Sequence, residues 1–194
     1  MNLVERARGI LLNPKDLWPQ IEAEPASVAS IYTEYLVFLA AIPAVATFIG
    51  MSLVGVGGFG FTYRVPLVSG LVAMVVGYVM SLAGIFVLGL IINALAPKFG
   101  GTKNALGAFK VAAYGATASF VGGVLNLVPA LGMLGALVSL YSLYLIFLGL
   151  PVVMKCPTDR AAPYTGLVIL AAVVVGLVMS VVNGIFYHGP IVGP

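Results

Sequence analysis

Charged residues are scarce in this sequence, and their scarcity excludes a water-soluble globule. Only 8% of the 194 residues are Asp, Glu, Lys or Arg, whereas a soluble domain carries about 25%. Hydrophobic residues make up 61% of the chain, and the mean hydropathy is +1.14. Because so few charges cannot cover the surface of a domain of this size, much of that surface must face lipid. The composition therefore predicts an integral membrane protein with the lipid bilayer as its surroundings.

Cysteine and histidine are nearly absent as well. Cys156 is the single cysteine and His188 the single histidine, so we expect neither an intramolecular disulfide nor a metal site. The nine Lys and Arg residues are spread along the chain and form no basic stripe, which argues against a nucleic-acid partner. The glycine-rich residues 55–60 lack the lysine of a phosphate-binding loop and are expected to be a flexible linker. No cofactor is predicted.

Five apolar stretches are long enough to cross the hydrocarbon core, which takes about 20 helical residues. They run over residues 31–54, 66–95, 108–128, 130–154 and 164–187. Lipid offers no partner to unpaired backbone groups, so these stretches must be helical. The sequence predicts an all-α integral membrane protein. Its five-helix bundle occupies residues 31–188, after a cytoplasmic or interfacial segment at 1–30 and before a tail at 189–194.

Prolines indicate where the spans begin and end. Pro129 leaves so short a link between the third and fourth spans that these helices must form a tight antiparallel hairpin. Pro157 and Pro163 are expected to mark the break before the fifth span. Pro43 lies inside the first span and is a candidate break within that helix.

The segment before the first span is amphipathic. Its apolar residues share one face at helical spacing: Leu3, Val4, Ala7, Ile10 and Leu11. This pattern is typical of a short helix lying on the membrane surface. We expect a second helical turn at residues 16–21, with Trp18 at headgroup depth. Docking of a cytoplasmic protein partner is the alternative role for this segment.

The basic residues predict how the chain is oriented in the membrane. Eight of the nine fall on one side of the predicted topology, and loops rich in Lys and Arg stay in the cytoplasm. Only Arg64 falls on the other side. We therefore expect a cytoplasmic N-terminus and an extracytoplasmic C-terminus. The same topology places Asp159 and His188 on opposite sides of the membrane, so no catalytic pair forms and we do not expect an enzyme.

Small residues at four-residue spacing allow close helix packing in lipid. The fifth span has such a face at Ala172, Gly176, Ser180 and Gly184. Similar faces occur in the second span (Ala73, Gly77, Ser81) and in the third (Gly115, Ser119, Gly123). We expect these faces to pack within one bundle, and a homo-oligomer interface is the alternative.

Polar residues in the spans are the candidate site residues, because polar groups are costly in a membrane. They are Glu34, Asn93, Lys110, Tyr114, Asn126, Tyr141 and Tyr144, together with the turn residue Pro129. Glu34 is expected either to be solvated at the cytoplasmic interface or to pair with Lys110 or Lys155. Tyr141 and Tyr144, with Ser142 beside them, are expected to bond across to Tyr114 or Tyr78, or else to line a small cavity.

Four short motifs resemble the Yip-domain family, the Ypt-interacting proteins and their prokaryotic relatives. They are Asn13-Pro14 with Leu17-Trp18 and Ile21; Phe99-Gly100-Gly101 with Phe109-Lys110-Val111 and Ala113-Tyr114; Val128-Pro129 with Leu131-Gly132; and Tyr141-Ser142-Leu143-Tyr144-Leu145 with Leu148-Gly149-Leu150-Pro151 and Met154. The resemblance implies five spans with a cytosolic N-terminus. Eukaryotic members bind Rab-type GTPases and one another, and they carry a long cytosolic region before the first span. Only about 30 residues precede the first span here, which favours the prokaryotic branch and a prokaryotic cell (inner) membrane.

Two functional hypotheses follow. The first is a non-catalytic membrane protein that organises the bilayer or acts as a scaffold or adaptor for other proteins, because the sequence carries no constellation of catalytic residues. The second is a small channel, transporter or lipid-moving protein whose polar site is lined by the tyrosines of the fourth span.

Overall fold

The computed structural model describes residues 2–58 and 61–186. Within these residues, five helical stretches are long and apolar enough to cross a membrane. They are Val28–Val54, Leu67–Phe99, Ala105–Leu127, Pro129–Val153 and Thr158–Ile185, here called the first to fifth spans. The prediction of an all-α protein with five membrane-spanning helices is confirmed.

Two helices precede the first span. Helix α1 (Leu3–Leu12) begins with a capping box between Asn2 and Glu5, and helix α2 (Pro14–Ala23) begins with proline at its first position. Proline suits that position because its fixed φ is helical and the missing N–H has no intrahelical partner there. The expected second turn at residues 16–21 is thus part of a ten-residue helix.

The first span runs through Pro43 without a break. It consists of α3 (Val28–Ile31), a π-helical segment (Tyr32–Leu36), α4 (Val37–Phe48) and a second π-helical segment (Ile49–Val54). Pro43 lies inside α4, so the break suggested by the sequence does not occur. The Pro43 ring packs instead against Gly123 of the third span, where an added Cβ would lie 2.5 Å from the Pro43 Cβ.

A short β-hairpin follows the first span. Strands β1 (Val56–Gly58) and β2 (Phe61–Tyr63) pair antiparallel, with Val56 opposite Tyr63. Gly55 enters the hairpin with φ +88°, a conformation that a residue with a side chain rarely adopts. Residues 56–58, which were expected to belong to a flexible linker, are thus paired in a hairpin.

The second span is α5 (Leu67–Leu95) followed by a 3-10 turn (Ala96–Phe99). The third is interrupted: α6 (Ala105–Gly115), α7 (Thr117–Gly122) and a 3-10 segment (Gly123–Leu127). A 3-10 turn at Pro129–Leu131 leads directly into α8 (Gly132–Val153), which packs back on α6 and α7 as an antiparallel hairpin.

The fifth span is α9 (Thr158–Phe186). The sequence predicted a break between Pro157 and Pro163. Pro163 instead lies inside this helix, which already begins at Thr158. Tyr164 fixes α9 to the second span, since its hydroxyl donates to the carbonyl of Ile92 at 2.5 Å. Cys156, in the connection before α9, is buried and its thiol lies 3.4 Å from the carbonyl oxygen of Phe99.

The third and fifth spans differ most in burial. In its most apolar window, 72% of the third span is buried, but only 11% of the fifth. Gly115 of the third span lies against Ile146, as expected for a small-residue face. On the fifth span, however, Gly176 and Ser180 are exposed, and an added Cβ at Gly176 would meet no described atom within 4 Å. The prediction that this face packs inside the bundle is wrong for these two residues.

Candidate functional site: the N-terminal clamp

Helices α1 and α2 pack over one end of the bundle, and we call residues 3–25 the N-terminal clamp. Trp18 of α2 is 0% exposed. Its ring lies on Gly149 of α8, where an added Cβ would come within 2.7 Å of it. Because glycine leaves a flat notch in α8, the indole packs on protein, a contact that the predicted headgroup depth of Trp18 did not anticipate. Ile10 and Ile21 are buried beside it, so the clamp turns its apolar face to the bundle.

Lys110 of α6 fastens the C-terminal end of α2. Its ammonium donates to the carbonyls of Ile21 at 2.6 Å, Glu22 at 3.3 Å and Glu24 at 2.7 Å. The last carbonyls of a helix lack intrahelical partners and carry partial negative charge, so a cation is favourable there. Lys110 is only 4% exposed, and its ammonium belongs to the clamp. The predicted alternative of a pair with Glu34 is wrong for Lys110.

Lys155 also binds the clamp. Its ammonium lies 2.7 Å from a carboxylate oxygen of Glu22. This contact with Lys155 holds the pKa of the Glu22 carboxyl below its usual value. Lys155 follows the last turn of α8 in a left-handed conformation, with φ 54°, which aims the chain from α8 towards α9. The predicted pair with Glu34 is therefore wrong for Lys155 too.

Arg6 is the charged residue of α1 that turns inward. Its Nη2 donates to one oxygen of Glu24 at 2.7 Å and lies 2.6 Å from the other. Its guanidinium carbon lies 5.4 Å from the centre of the Tyr114 ring. Burial alone would lower the pKa of Arg6, but the hydrogen bond to Glu24 and the electrostatic interactions with Tyr114, Glu24 and Tyr35 together outweigh it, and the net pKa is raised. Arg6 is thus fixed as a cation between α2 and the third span.

The tyrosines of the fourth span face the clamp. The Tyr141 hydroxyl donates to the carbonyl of Leu11 at 2.9 Å, and its ring centre lies 5.5 Å from that of Tyr144. Both rings line a cavity of about 340 Å³ whose other walls are residues 12–16. The predicted cavity is present, but at the clamp.

The predicted bonds from these residues to Tyr114 or Tyr78 do not form. The Tyr78 hydroxyl donates to the carbonyl of Val37 at 3.0 Å. The Tyr114 ring packs on Tyr35, with 4.9 Å between ring centres. Ser142 meets Ser119 of the third span, where its hydroxyl oxygen accepts from the Ser119 N–H at 2.9 Å. These contacts join the second span to the first, the third to the first and the fourth to the third.

A second cavity, the clamp cavity, lies between the clamp and the first and third spans. Its volume is about 200 Å³. Its polar lining residues are Arg6, Glu24, Ser30, Glu34, Tyr35 and Tyr114. Tyr35 is held in place by a 2.7 Å hydrogen bond between its hydroxyl and that of Thr117. Glu34 is exposed at the cavity rim, in agreement with the solvated alternative for this residue.

Five of the eight candidate residues therefore meet around the clamp, and three do not. The five are Glu34, Lys110, Tyr114, Tyr141 and Tyr144. Asn126 donates to the Thr47 hydroxyl at 3.1 Å and joins the third span to the first. Pro129 starts the 3-10 turn between the third and fourth spans. The Oδ1 of Asn93 in α5 is buried and accepts no hydrogen bond from the described residues.

Sequence reasoning missed the inward role of Arg6 and of Trp18. In the sequence, Arg6 and Arg8 are equivalent basic residues on a polar face, and only tertiary packing separates them. A cue for Trp18 was available in Gly149, since a glycine within an apolar helix admits a large side chain. Within residues 2–58 and 61–186, no three His, Cys, Asp or Glu side chains cluster as a metal site would require. His188 lies outside the described residues.

Comparison with known proteins identifies the family. The Yip1 domain matches residues 8–180, a range that begins inside the clamp and ends in the fifth span. The inner membrane protein YohC of Escherichia coli strain K12 is 25% identical over 171 residues, which cover 86% of this chain and 88% of YohC. YohC of a second Escherichia coli strain gives the same values. No solved structure matches the chain significantly. The chain is a multi-pass membrane protein and belongs to the Yip1-domain family.

Proposed function

We propose that the protein is a non-catalytic scaffold or adaptor that organises a prokaryotic inner membrane. Its N-terminus lies in the cytoplasm and its C-terminus outside, and its bundle contacts other membrane proteins or a second copy of the chain. The inner-membrane location rests on the relative YohC, an inner membrane protein. The orientation rests on the positions of the basic residues.

The observation that carries the proposal is the outward face of α9. This helix is 29 residues long, and Gly176 and Ser180 leave a shallow strip along its exposed side. Helix partners in lipid associate through such small-residue strips, because they allow backbones to approach closely. In the clamp, by contrast, Arg6 and Glu24 already bind each other, and Glu22 binds Lys155.

Cysteine crosslinking in membranes tests the proposal. In a Cys156→Ala background, Gly176→Cys is expected to crosslink to another chain, whether a second copy or a different protein. Val75→Cys, on the exposed face of the second span, is the matched control and should crosslink far less. Equal crosslinking at both positions, or none at either, would contradict a partner surface on α9.

The alternative function is a small channel, transporter or lipid-moving protein with a site at Tyr141 and Tyr144. Those tyrosines line a cavity walled by clamp residues, and Tyr141 bonds to α1. This arrangement supports a role in holding the clamp. A lipid-scrambling assay in proteoliposomes separates the two functions: activity that falls in the Tyr141→Phe, Tyr144→Phe double variant favours the alternative.

A further inference from the structure

The clamp cavity has at its rim an exposed carboxylate, that of Glu34, which no described charge neutralises. Arg6 is paired with Glu24 through both carboxylate oxygens. Lys110 is turned to three backbone carbonyls. Glu34 lines the same cavity, and its carboxylate makes no ion pair or hydrogen bond among residues 2–58 and 61–186. The charged groups that line the cavity therefore leave it with one net negative charge, located on Glu34.

The aromatic walls of the cavity limit which cations fit. One face of Tyr114 is covered by the Arg6 guanidinium, at 5.4 Å from the ring centre. Tyr35 is tilted against Tyr114, with 4.9 Å between ring centres. The two rings thus form a wall rather than an open cage, which a quaternary ammonium group would need. A cation bound here must gain its energy from the Glu34 carboxylate, and for that it needs N–H donors.

We propose that the clamp cavity binds a primary ammonium group, with the Glu34 carboxylate as its acceptor. The volume of about 200 Å³ has room for an ethanolamine-sized group. Such a group comes from either of two sources, the headgroup of phosphatidylethanolamine or a small free amine. Glu34 lies near the start of the first span, Val28–Val54, at a depth where we expect a headgroup to reach it. The proposal does not rest on the scaffold function.

Lipid retention by the purified protein tests the proposal. Native mass spectrometry compares phosphatidylethanolamine with phosphatidylcholine of identical acyl chains, supplied in equal amounts. We expect about tenfold preference for phosphatidylethanolamine, the factor expected for a charge-assisted hydrogen bond that a quaternary ammonium cannot make. A second arm measures thermal stability in lipid-free detergent with ethanolamine or choline added. Stabilisation by ethanolamine and not by choline would support the same site. If it occurs without a preference between the two lipids, it identifies a free amine as the ligand.

Two carboxamide variants locate the site. Glu34→Gln removes the charge at nearly constant shape and should abolish the preference. Asp16→Asn removes an exposed carboxylate of α2 that does not line the clamp cavity, and the preference should remain. The emission of the single tryptophan, Trp18, shows whether each variant keeps its clamp docked.

The proposal is overturned if the wild-type protein retains both lipids equally and ethanolamine does not stabilise it. It is also overturned if Glu34→Gln folds normally and keeps the preference. The wild-type comparison decides the matter even if Glu34→Gln does not fold.

Discussion

Gly149 and Trp18 show at the residue scale how a missing side chain positions a large one. A side chain at residue 149 would occupy the space of the indole ring, so the clamp docks only because this position is glycine. The sequence marks Trp18 as an interfacial anchor, since a lone tryptophan before a first span commonly lies among headgroups. Gly149 is visible in the sequence as a possible notch, but nothing in the sequence pairs it with Trp18, because the partner of the ring is the absence of a side chain.

Gly149→Leu is predicted to expel Trp18 from its notch. We expect a loss of about 1–3 kcal/mol in stability, typical of overpacking, and a red shift in tryptophan emission. Because Trp18 is the single tryptophan, its emission reports this contact alone. Gly166→Leu is the control, since an added Cβ at Gly166 meets no described atom within 4 Å. Equal spectra and melting temperatures for the two variants would contradict the prediction.

Lys110 makes a second residue-scale prediction. Lys110→Met keeps most of the apolar stem but leaves the three carbonyls at the end of α2 without their donor. A buried acceptor left unpaired costs about 1–3 kcal/mol, so thermal stability in detergent should fall. Lys103→Met, at an exposed position, should leave stability unchanged. The sequence marks Lys110 as a candidate site residue, because a lysine within a span is rare. It does not identify the partners of Lys110, because these are backbone carbonyls 86–89 residues away.

At the element scale, helix α1 has one face docked on the bundle and another face exposed. Ile10 is 0% exposed, whereas Leu12, two residues on, is 64% exposed. Both are equally apolar in the sequence, so hydrophobic periodicity predicts the helix but not the side to which it docks. The same limit applies to α9. Its small residues predict a packing face, but the sequence does not show that Gly176 and Ser180 on this face point away from the bundle.

Cysteine labelling tests how firmly α1 is docked. In a Cys156→Ala background, Leu12→Cys should react rapidly with a maleimide, and Ile10→Cys should react at least about tenfold more slowly, because a buried thiol reacts only when the clamp opens. Similar rates at the two positions would show that the clamp is detached in the membrane.

At the scale of the whole molecule, the spans were the most predictable feature. Long apolar runs and the cost of unpaired backbone in lipid leave little choice but helices. The interruptions in the third span were not predictable, since they occur where packing against Pro43 and Ile146 replaces regular turns. The clamp was recognisable as amphipathic, but its attachment depends on contacts between distant parts of the chain.

The proposed orientation gives a whole-molecule prediction. In a Cys156→Ala background, Arg64→Cys should be labelled in intact cells by a maleimide that does not cross the inner membrane. Lys103→Cys should be labelled only after that membrane is permeabilised. Both positions are exposed, so accessibility alone does not distinguish them. The reverse pattern would invert the topology.

The burial of the third span bears on how the chain enters the membrane. With a mean hydropathy of 1.3, against 2.7 for the fifth span, it is the least apolar of the five. A segment of this kind partitions weakly into lipid when it leaves the ribosome alone. Only the short turn at Pro129 separates it from the more apolar fourth span, so the two are expected to insert together as one hairpin. The shortness of this turn therefore couples the insertion of the third span to that of the fourth.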